Sequence, residues 1–311
     1  MTDLPLVSIV TPSYNQARFL EKTMRSVLEQ DYPRLEYLVV DGASTDGSVD
    51  LIKKYAGQLK WWVSEKDKGQ AEAINKGLTR AKGEIVAWIN SDDYYMPGAI
   101  AGAVKALDEH PEVGMVYGNV RVVDEHEKIL NNLAYADWQV ADLMAFRIIG
   151  QPAVFMRREV LEKTGFLDPS YHLLLDHQLW IRLALAGGMK YIPELWASAH
   201  YHEDCKNLAQ AAGFGRDARR IVEWMRGSPQ YAQLFKQNEK RILAGAERLN
   251  AFYMLDAKEY GAAFRSYWKA FWLHPATVTS EWYRMVYAFF APLGLDGLRR
   301  RFLANRQRKL N

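Results

Sequence analysis

The sequence predicts an α/β fold: a Rossmann-like, mostly parallel sheet flanked by helices, with a C-terminal helical extension. Three observations carry this. Short apolar runs alternate with amphipathic helical stretches at roughly 25–30-residue spacing through the first hundred residues, the pattern of right-handed βαβ units. Several of these runs lead directly into acids, as at Val39-Val40-Asp41 and at Ile85 to Ile89 followed by Asn90-Ser91-Asp92-Asp93. From about Asn207 the composition shifts to helix formers and the alternation stops.

Taken in order, Leu6 to Val10 reads as a first strand, followed by Thr11-Pro12-Ser13-Tyr14-Asn15. Asn15 is the expected N-cap of a helix from Gln16 to Gln30, whose Leu20, Met24, Val27 and Leu28 share one face. Glu36 to Val40 is a second strand, and Gly42 to Gly47 a turn before a helix carrying Val49, Leu51, Ile52 and Tyr55. Trp61 to Ser64 and Ala71 to Ala81 are the next strand and helix. After Ile85 to Ile89, Pro97 is placed to open a helix, which runs from after Gly98 to about Glu109. Val113 to Val123 reads as a strand, and Asp124 to Lys128 as a solvated turn. Ala153 to Met156 (strand) and Glu159 to Thr164 (helix, stopped by Gly165) follow. Leu173-Leu174-Leu175 then runs into Asp176 at the start of a helix ending at Gly187-Gly188. Lys190 to Ile192 and Ala197 to His202 read as edge strands. The expected domains are residues 1–206 and 207–311, the second containing an antiparallel helix pair between Asn250 and Pro275. A single such pair without a second copy argues against a repeat array.

Composition narrows the function. A net charge of +3 is too small to imply nucleic acid as a partner. The single Cys205 excludes an internal disulfide and a cysteine-rich metal site. The N-terminal residues lack the basic and apolar regions of a signal peptide, and no apolar run reaches the ~18–20 residues of a membrane span, so the expected compartment is the cytoplasm. Gly213-Phe214-Gly215-Arg216-Asp217-Ala218 matches a loose dinucleotide fingerprint, but it follows no strand and is read as chance. The segment from Glu281 onward combines Trp282, Tyr283, Phe289 and Phe290 with six Arg and Lys residues between Arg299 and Lys309. It has two readings: an amphipathic end lying on an anionic membrane surface, or packing on its own domain or a partner subunit.

In a parallel sheet, acids after successive strands share one edge, where ligands of open α/β sheets bind. Asp41, Asp92, Asp93 and Asp176, with Asp67 in a neighbouring loop, would make a crevice that repels an anion unless a divalent cation neutralises it.

These stretches resemble the motifs of family 2 glycosyltransferases of the GT-A fold. The residues concerned are Val7 to Asn15, Val39-Val40-Asp41-Gly42-Ala43-Ser44-Thr45-Asp46-Gly47-Ser48, Asp67-x-Gly69-Gln70 with Asn75-x-Gly77, and Asn90-x-Asp92-Asp93. Each is weak alone; their order and spacing over residues 5–205 are specific. The resemblance implies an inverting transfer of one sugar from a nucleotide sugar, a UDP-sugar by preference, to the hydroxyl of a saccharide or lipid-linked saccharide, in surface polysaccharide or glycoconjugate synthesis. It implies that Pro12, Tyr14, Asp41 and Asp67 hold the nucleotide, with Asp41 accepting from uracil N3–H, and that Asp92 contacts the ribose or donor sugar. Asp93 would ligate Mn²⁺ or Mg²⁺, with His202, more than His200, as a further contact to the metal or diphosphate. Asp176 is implied as general base, its alternative role being a helix N-cap. Gln151 is implied on the acceptor side. Asn90 departs from the family's fuller acidic pattern, which leaves Asp93 as the carboxylate expected to touch the metal. There is no Arg-Trp pair of the processive type, so repeated polymerisation is not expected. Two rivals stand beside this reading. One is a catalytically silent nucleotide-sugar-binding scaffold; the other is a sugar nucleotidyltransferase, disfavoured because the first loop has no glycine-rich phosphate cradle.

Overall fold

The computed structural model describes residues 4–202 and 210–293. The chain divides into two compact units, one of Met1–Gln139 with Ile149–Tyr201, the other of Val140–Ile148 with His202–Asn311. The boundary expected at 206/207 lies outside the described residues, as do Cys205 and the basic stretch from Arg299.

The first unit holds a nine-stranded sheet with seven strands on its main half: β1 (Val7–Ser13), β2 (Leu35–Asp41), β3 (Trp61–Ser64), β4 (Ile85–Trp88), β6 (Met115–Val123), β8 (Val154–Arg157) and β9 (Met189–His200). β5 (Asp93–Tyr95) extends it beyond β9, and β7 (Ile129–Leu133) pairs with β6 off the main path, the order being β3-β2-β1-β4-β8-β6-β9-β5. β3, β2, β1 and β4 are parallel, so their carboxyl ends lie together, whereas β8 pairs antiparallel with both β4 and β6. The parallel strands are apolar because both faces are covered: Val7, Ile9, Val10, Val39, Val40, Val86 and Ala87 are fully buried. The covering helices are α1 (Ala17–Leu28), α2 (Ser48–Tyr55), α3 (Gln70–Arg80), α4 (Ala99–Glu109), α6 (Arg158–Thr164) and α7 (Leu175–Gly187). α5 (Val140–Met144) belongs to the second unit.

Two residues of the Asn75-x-Gly77 stretch have structural work. A Cβ on Gly77 would lie 2.3 Å from Val10 Cγ1, so only glycine lets α3 approach β1 this closely. The Asn75 amide donates to the Leu167 carbonyl and accepts from the Leu167 N–H, clamping the segment that leads to α7.

The structure corrects two expectations and adds a strand to a third. Asn15 is not a cap. It has a left-handed φ of 51°, and its Oδ1 accepts from Thr45 N–H, joining the first two loops. The α1 start is instead served from the second loop, where Ser48 Oγ accepts from Gln16 N–H and the Asp46 carboxylate from Ala17 N–H. The two expected edge strands are one strand, β9, placed between β6 and β5; Pro193, which has no N–H to donate, falls where its register with β6 shifts. The turn expected at Asp124 to Lys128 is present and mostly exposed; it closes a hairpin whose second strand, β7, is unexpected because its half-polar sequence carries little strand signal. Its Glu127 is not merely solvated, since it accepts from Lys22, Tyr94 and His200. α4 begins after Gly98, at φ 79°, and ends at Glu109, the bounds expected for it.

The second unit is helical: α8 (Ala211–Gly227), α9 (Ala232–Asp256), α10 (Tyr260–Leu273), α11 (Ala276–Thr279) and α12 (Trp282–Phe290), together with α5. Gly215 of the loose dinucleotide fingerprint is a packing residue, because a Cβ there would sit 1.8 Å from Asn250 Oδ1 on α9. Gly245 likewise lets α9 rest on the Ala145 backbone, and Arg248 donates to the Phe146 carbonyl, which ties residues 140–148 to the helices. Among the described residues, no helix is long and apolar enough to cross a membrane.

Candidate active site

The parallel carboxyl ends bring the first group of predicted residues together. Ser13, at the end of β1, is in register with Asp41 at the end of β2, and Pro12 with Val40. Asp41 is fully buried. Its Oδ2 accepts from Ser44 N–H at 2.9 Å and Ser64 Oγ at 2.6 Å, and its Oδ1 from Ser44 Oγ at 2.5 Å. A carboxylate offers about four acceptor positions, so roughly one remains on Oδ1. Gly42 follows, and an added Cβ there would lie 2.8 Å from Asp67 Oδ2 and 3.2 Å from the Tyr14 ring. Tyr14 and Asp67 therefore meet over Gly42, the residue next to Asp41 at the strand ends. Tyr14 is exposed, with its ring at the mouth, and Asp67 Oδ1 is held by Gly69 N–H at 2.8 Å. Sequence reasoning missed Ser13, whose buried hydroxyl has no partner among the described residues. A lone serine ending a strand gives no signal of that.

The second group surrounds β4. Asn90-Ser91-Asp92-Asp93 forms a turn closed by Asp93 N–H donating to the Asn90 carbonyl at 3.0 Å, and it leads into β5. Thr23 of α1 holds this turn from below, its buried hydroxyl 3.0 Å from the Ser91 carbonyl and 2.6 Å from that of Asp93. His200, at the end of β9, places one ring nitrogen 2.5 Å from the Asp92 carbonyl and the other 2.8 Å from Glu127. Burial works against ionised Glu127, but the hydrogen bonds from Lys22, His200 and Tyr94 hold its carboxyl below the ordinary value. Thr23 and His200 fix the backbone that presents Asp92 and Asp93. Thr23 was legible only as a polar residue beside the apolar stripe of α1.

The Asp93 carboxyl is buried, and burial, then the neighbouring Asp92 charge, pushes its pKa well above the ordinary carboxylate value. A buried carboxylate that resists ionisation beside a second acid is the donor chemistry that a hard cation relieves. Among the described residues, no three or more His, Cys, Asp or Glu side chains come together as a metal cluster. A cation at Asp93 would thus draw only a small part of its coordination from the protein, as is usual where diphosphate oxygens and water supply the rest.

Asn90 explains its own departure from an acidic residue. Gln151 Nε2 donates to the Trp88 carbonyl at 2.8 Å, which leaves Gln151 Oε1 as the acceptor for Asn90 Nδ2 at 3.1 Å. Asn90 Oδ1 then accepts from Gln70 Nε2 at 2.7 Å, while Nδ2 also lies 3.4 Å from Asp93 Oδ2. A carboxylate at position 90 would set oxygen against Gln151 Oε1 and against Asp93. Asn90→Asp is therefore expected to destabilise the protein by about 1–3 kcal/mol, read from denaturant midpoints. A midpoint equal to wild type would count against this amide chain. The structure thus places Gln151, predicted on the acceptor side, directly against the turn, and adds Gln70 to it.

Asp176 lies in the first turn of α7, half-buried, not at the N-cap position, which Leu174 occupies. One turn further on, Trp180 stacks on Trp88 of β4 at 5.0 Å between ring centroids, which seats the start of α7 near the carboxyl end of β4. His202 is buried two residues beyond β9 and falls in the second compact unit.

The family model described as Glycosyl transferase family 2 matches residues 8–165, half of the chain, a range that includes every site residue above except Asp176, His200 and His202. TuaG of Bacillus subtilis (strain 168), a glycosyltransferase whose name assigns it provisionally to teichuronic acid biosynthesis, is 44% identical over 92 residues, covering 29% of this chain and 36% of TuaG. An uncharacterized Mycobacterium tuberculosis glycosyltransferase, Rv1514c, is 29% identical over 188 residues, covering 60% of this chain and 71% of its own. Among solved structures, Staphylococcus aureus TarS 1-349 in complex with UDP-GlcNAc superposes with a TM-score of 0.60 at 15% identity, over 84% of this chain and 89% of that one. The mannosyltransferase PcManGT from Pyrobaculum calidifontis, in complex with GDP-Man and Mn²⁺, gives 0.59 at 22% identity, over 94% and 88%. At these identities the structural likeness establishes the GT-A fold. Together with the family match over the strand ends just described, it makes this chain a member of glycosyltransferase family 2.

Proposed function

We propose that the protein transfers one sugar from a UDP-sugar to an acceptor hydroxyl with inversion, in a Mn²⁺- or Mg²⁺-dependent reaction serving surface polysaccharide or glycoconjugate synthesis. The observation that carries this reading is the pair of residue groups at the parallel strand ends: Tyr14 and Asp67 meeting over Gly42 beside the buried Asp41, and the buried Asp93 beside Asp92. The remaining acceptor position on Asp41 suits the N3–H of uracil, an edge at which adenine offers no donor. Tyr14 and Pro12 form the wall on which the base lies, with Asp67 beside it. Asp92 holds the ribose or the donor sugar. Asp93 holds the cation; His202 is the further ligand that the family resemblance offers, but the reading does not depend on it. A bound Mn²⁺ or Mg²⁺ supplies neutralisation of the charge developing on the departing diphosphate. Asp176 takes the proton from the acceptor hydroxyl as that oxygen attacks the anomeric carbon from the face opposite the nucleotide. Gln151, anchored to Trp88, borders the acceptor side. The acceptor is a saccharide or a lipid-linked saccharide.

A screen of nucleotide sugars for slow donor hydrolysis tests the reading without an acceptor. One UDP-sugar is expected to be hydrolysed, with the activity lost in chelator and restored by Mn²⁺ or Mg²⁺. Preference for a GDP-sugar would overturn the uracil assignment to Asp41. Tight nucleotide-sugar binding with no hydrolysis and no transfer would favour a silent scaffold.

A further inference from the structure

The second unit carries a surface that the sugar-transfer site does not use. On α10, aromatic residues fall at positions 264, 268, 271 and 272, and on α12 large apolar residues fall at 282, 286, 289 and 290. Both sets have the i, i+4, i+7, i+8 spacing of one helical stripe. The stripes meet, with the Phe264 and Phe289 rings 5.1 Å apart. Trp268 continues the contact along α10, 6.1 Å from Phe264 and 5.8 Å from Trp272. Such stripes normally face a core, yet here Trp272 is 69% exposed, Trp282 60%, Phe289 54% and Trp268 47%. An exposed apolar patch this continuous marks a binding surface.

Charge decides what it binds. Between residues 260 and 293 the only acid is Glu281, and it accepts from Arg248 at 2.9 Å; of the bases in that segment, Lys269 is paired with Glu247 at 2.6 Å, Arg284 lies over the Phe252 ring, and the third is Arg265. Residues 294–311, outside the described residues, add six Arg or Lys and one Asp to the sequence immediately after the face. The sequence that follows the face is basic, which an anionic lipid surface complements, whereas a second copy of this chain carries the same positive charge. The composition agrees: Trp and Tyr prefer the depth of the lipid headgroups, where the ring sits with its polar edge in reach of water, and Phe adds apolar area to bury. With no described helix able to span a bilayer, the face would lie on the membrane rather than in it.

We propose that the α10–α12 aromatic face docks the enzyme on an anionic membrane surface by inserting Trp268, Trp272, Trp282, Phe289 and Phe290 at headgroup depth. The face does more than hold the protein near lipid. It makes a lipid-linked saccharide the acceptor class this enzyme meets, and in that respect it rests on the sugar-transfer reading above.

The test is co-sedimentation of the full chain with phosphatidylglycerol vesicles and with phosphatidylcholine vesicles, beside donor hydrolysis in solution. Wild type is expected to bind the anionic vesicles, with tryptophan fluorescence shifted to the blue and quenched by brominated acyl chains. The double variant Trp272→Ser/Phe289→Ser is expected to bind about tenfold or more weakly. Its donor hydrolysis should be unchanged, because these residues are exposed and outside the catalytic unit. Unchanged vesicle binding in that variant, or binding without a tryptophan shift, would assign any attraction to the basic stretch alone and overturn the face. A wild-type dimer that becomes monomeric in the variant, with no binding to vesicles, would make the face a contact between copies instead. Loss of donor hydrolysis in wild type would count against the sugar-transfer reading and leave the vesicle result standing.

Discussion

Asp93→Asn is expected to remove cation-dependent activity while making the ligand-free protein more stable. Asp93 is buried next to Asp92, and both effects disfavour its charged form. The sign of the pH dependence follows. The folded-state pKa lies above that of the unfolded chain, so between those two values the native state binds more protons, and stability falls as pH rises through that window. Above that window the penalty of the buried carboxylate is fully present, and Asn, of the same shape, removes it. Asn also keeps a group able to face Asn90 Nδ2, which lies 3.4 Å from Asp93 Oδ2. Without divalent cation, the melting temperature of the variant should exceed that of wild type, at roughly 2–4 °C for each kcal/mol recovered. The excess should shrink as pH is lowered towards ordinary carboxylate values. Adding Mn²⁺ with nucleoside diphosphate should raise the melting temperature of wild type and leave the variant where it was. Sugar transfer should fall by about 10³-fold or more, since the stabilisation of the leaving diphosphate is worth several kcal/mol. A variant less stable than wild type at neutral pH, yet still stabilised by Mn²⁺ and nucleotide, would move the cation site elsewhere.

Asp176→Asn separates binding from chemistry. Asp176 is half-buried in the first turn of α7, and α7 is held by its Trp180–Trp88 stack and by Arg182, which donates to the carbonyls of Thr164, Gly165 and Phe166. Losing the carboxylate should therefore leave the helix in place. Nucleotide affinity, measured by calorimetry, should stay within about twofold, because none of the residues assigned to the nucleotide changes. Transfer should drop by about 10²–10⁴-fold in kcat, the usual contribution of a general base. A plain structural role would predict a lower melting temperature with little change in kcat. Wild-type turnover in this variant would remove Asp176 from the mechanism.

The sequence by itself determined the α/β class, the parallel half of the sheet and the acids at its edge. These depend on local patterns: apolar runs at strand length, helices with apolar stripes, and Asp residues following the runs. β3 is placed to the residue, and α3, α6 and α7 to within about one, because their boundaries are set by Gly, Ser and charged residues acting within one turn. What the tertiary structure alone decided lies in contacts between residues far apart in the chain. Asn15 looked like a cap for its own helix, but its amide meets Thr45, thirty residues on, once β1 and β2 pair. Asn90 looked like a weakened metal ligand, and proves to be the amide between Gln70 and Gln151 that only a neutral side chain can be. Thr23 carries no message in sequence and His200 reads only as a weaker metal or diphosphate contact than His202, yet both hold the turn that presents Asp92 and Asp93. The aromatic C-terminal region could be read as core or surface until α10 and α12 were side by side with their stripes outward. Periodicity specifies which face of an element is apolar; only packing specifies what that face meets.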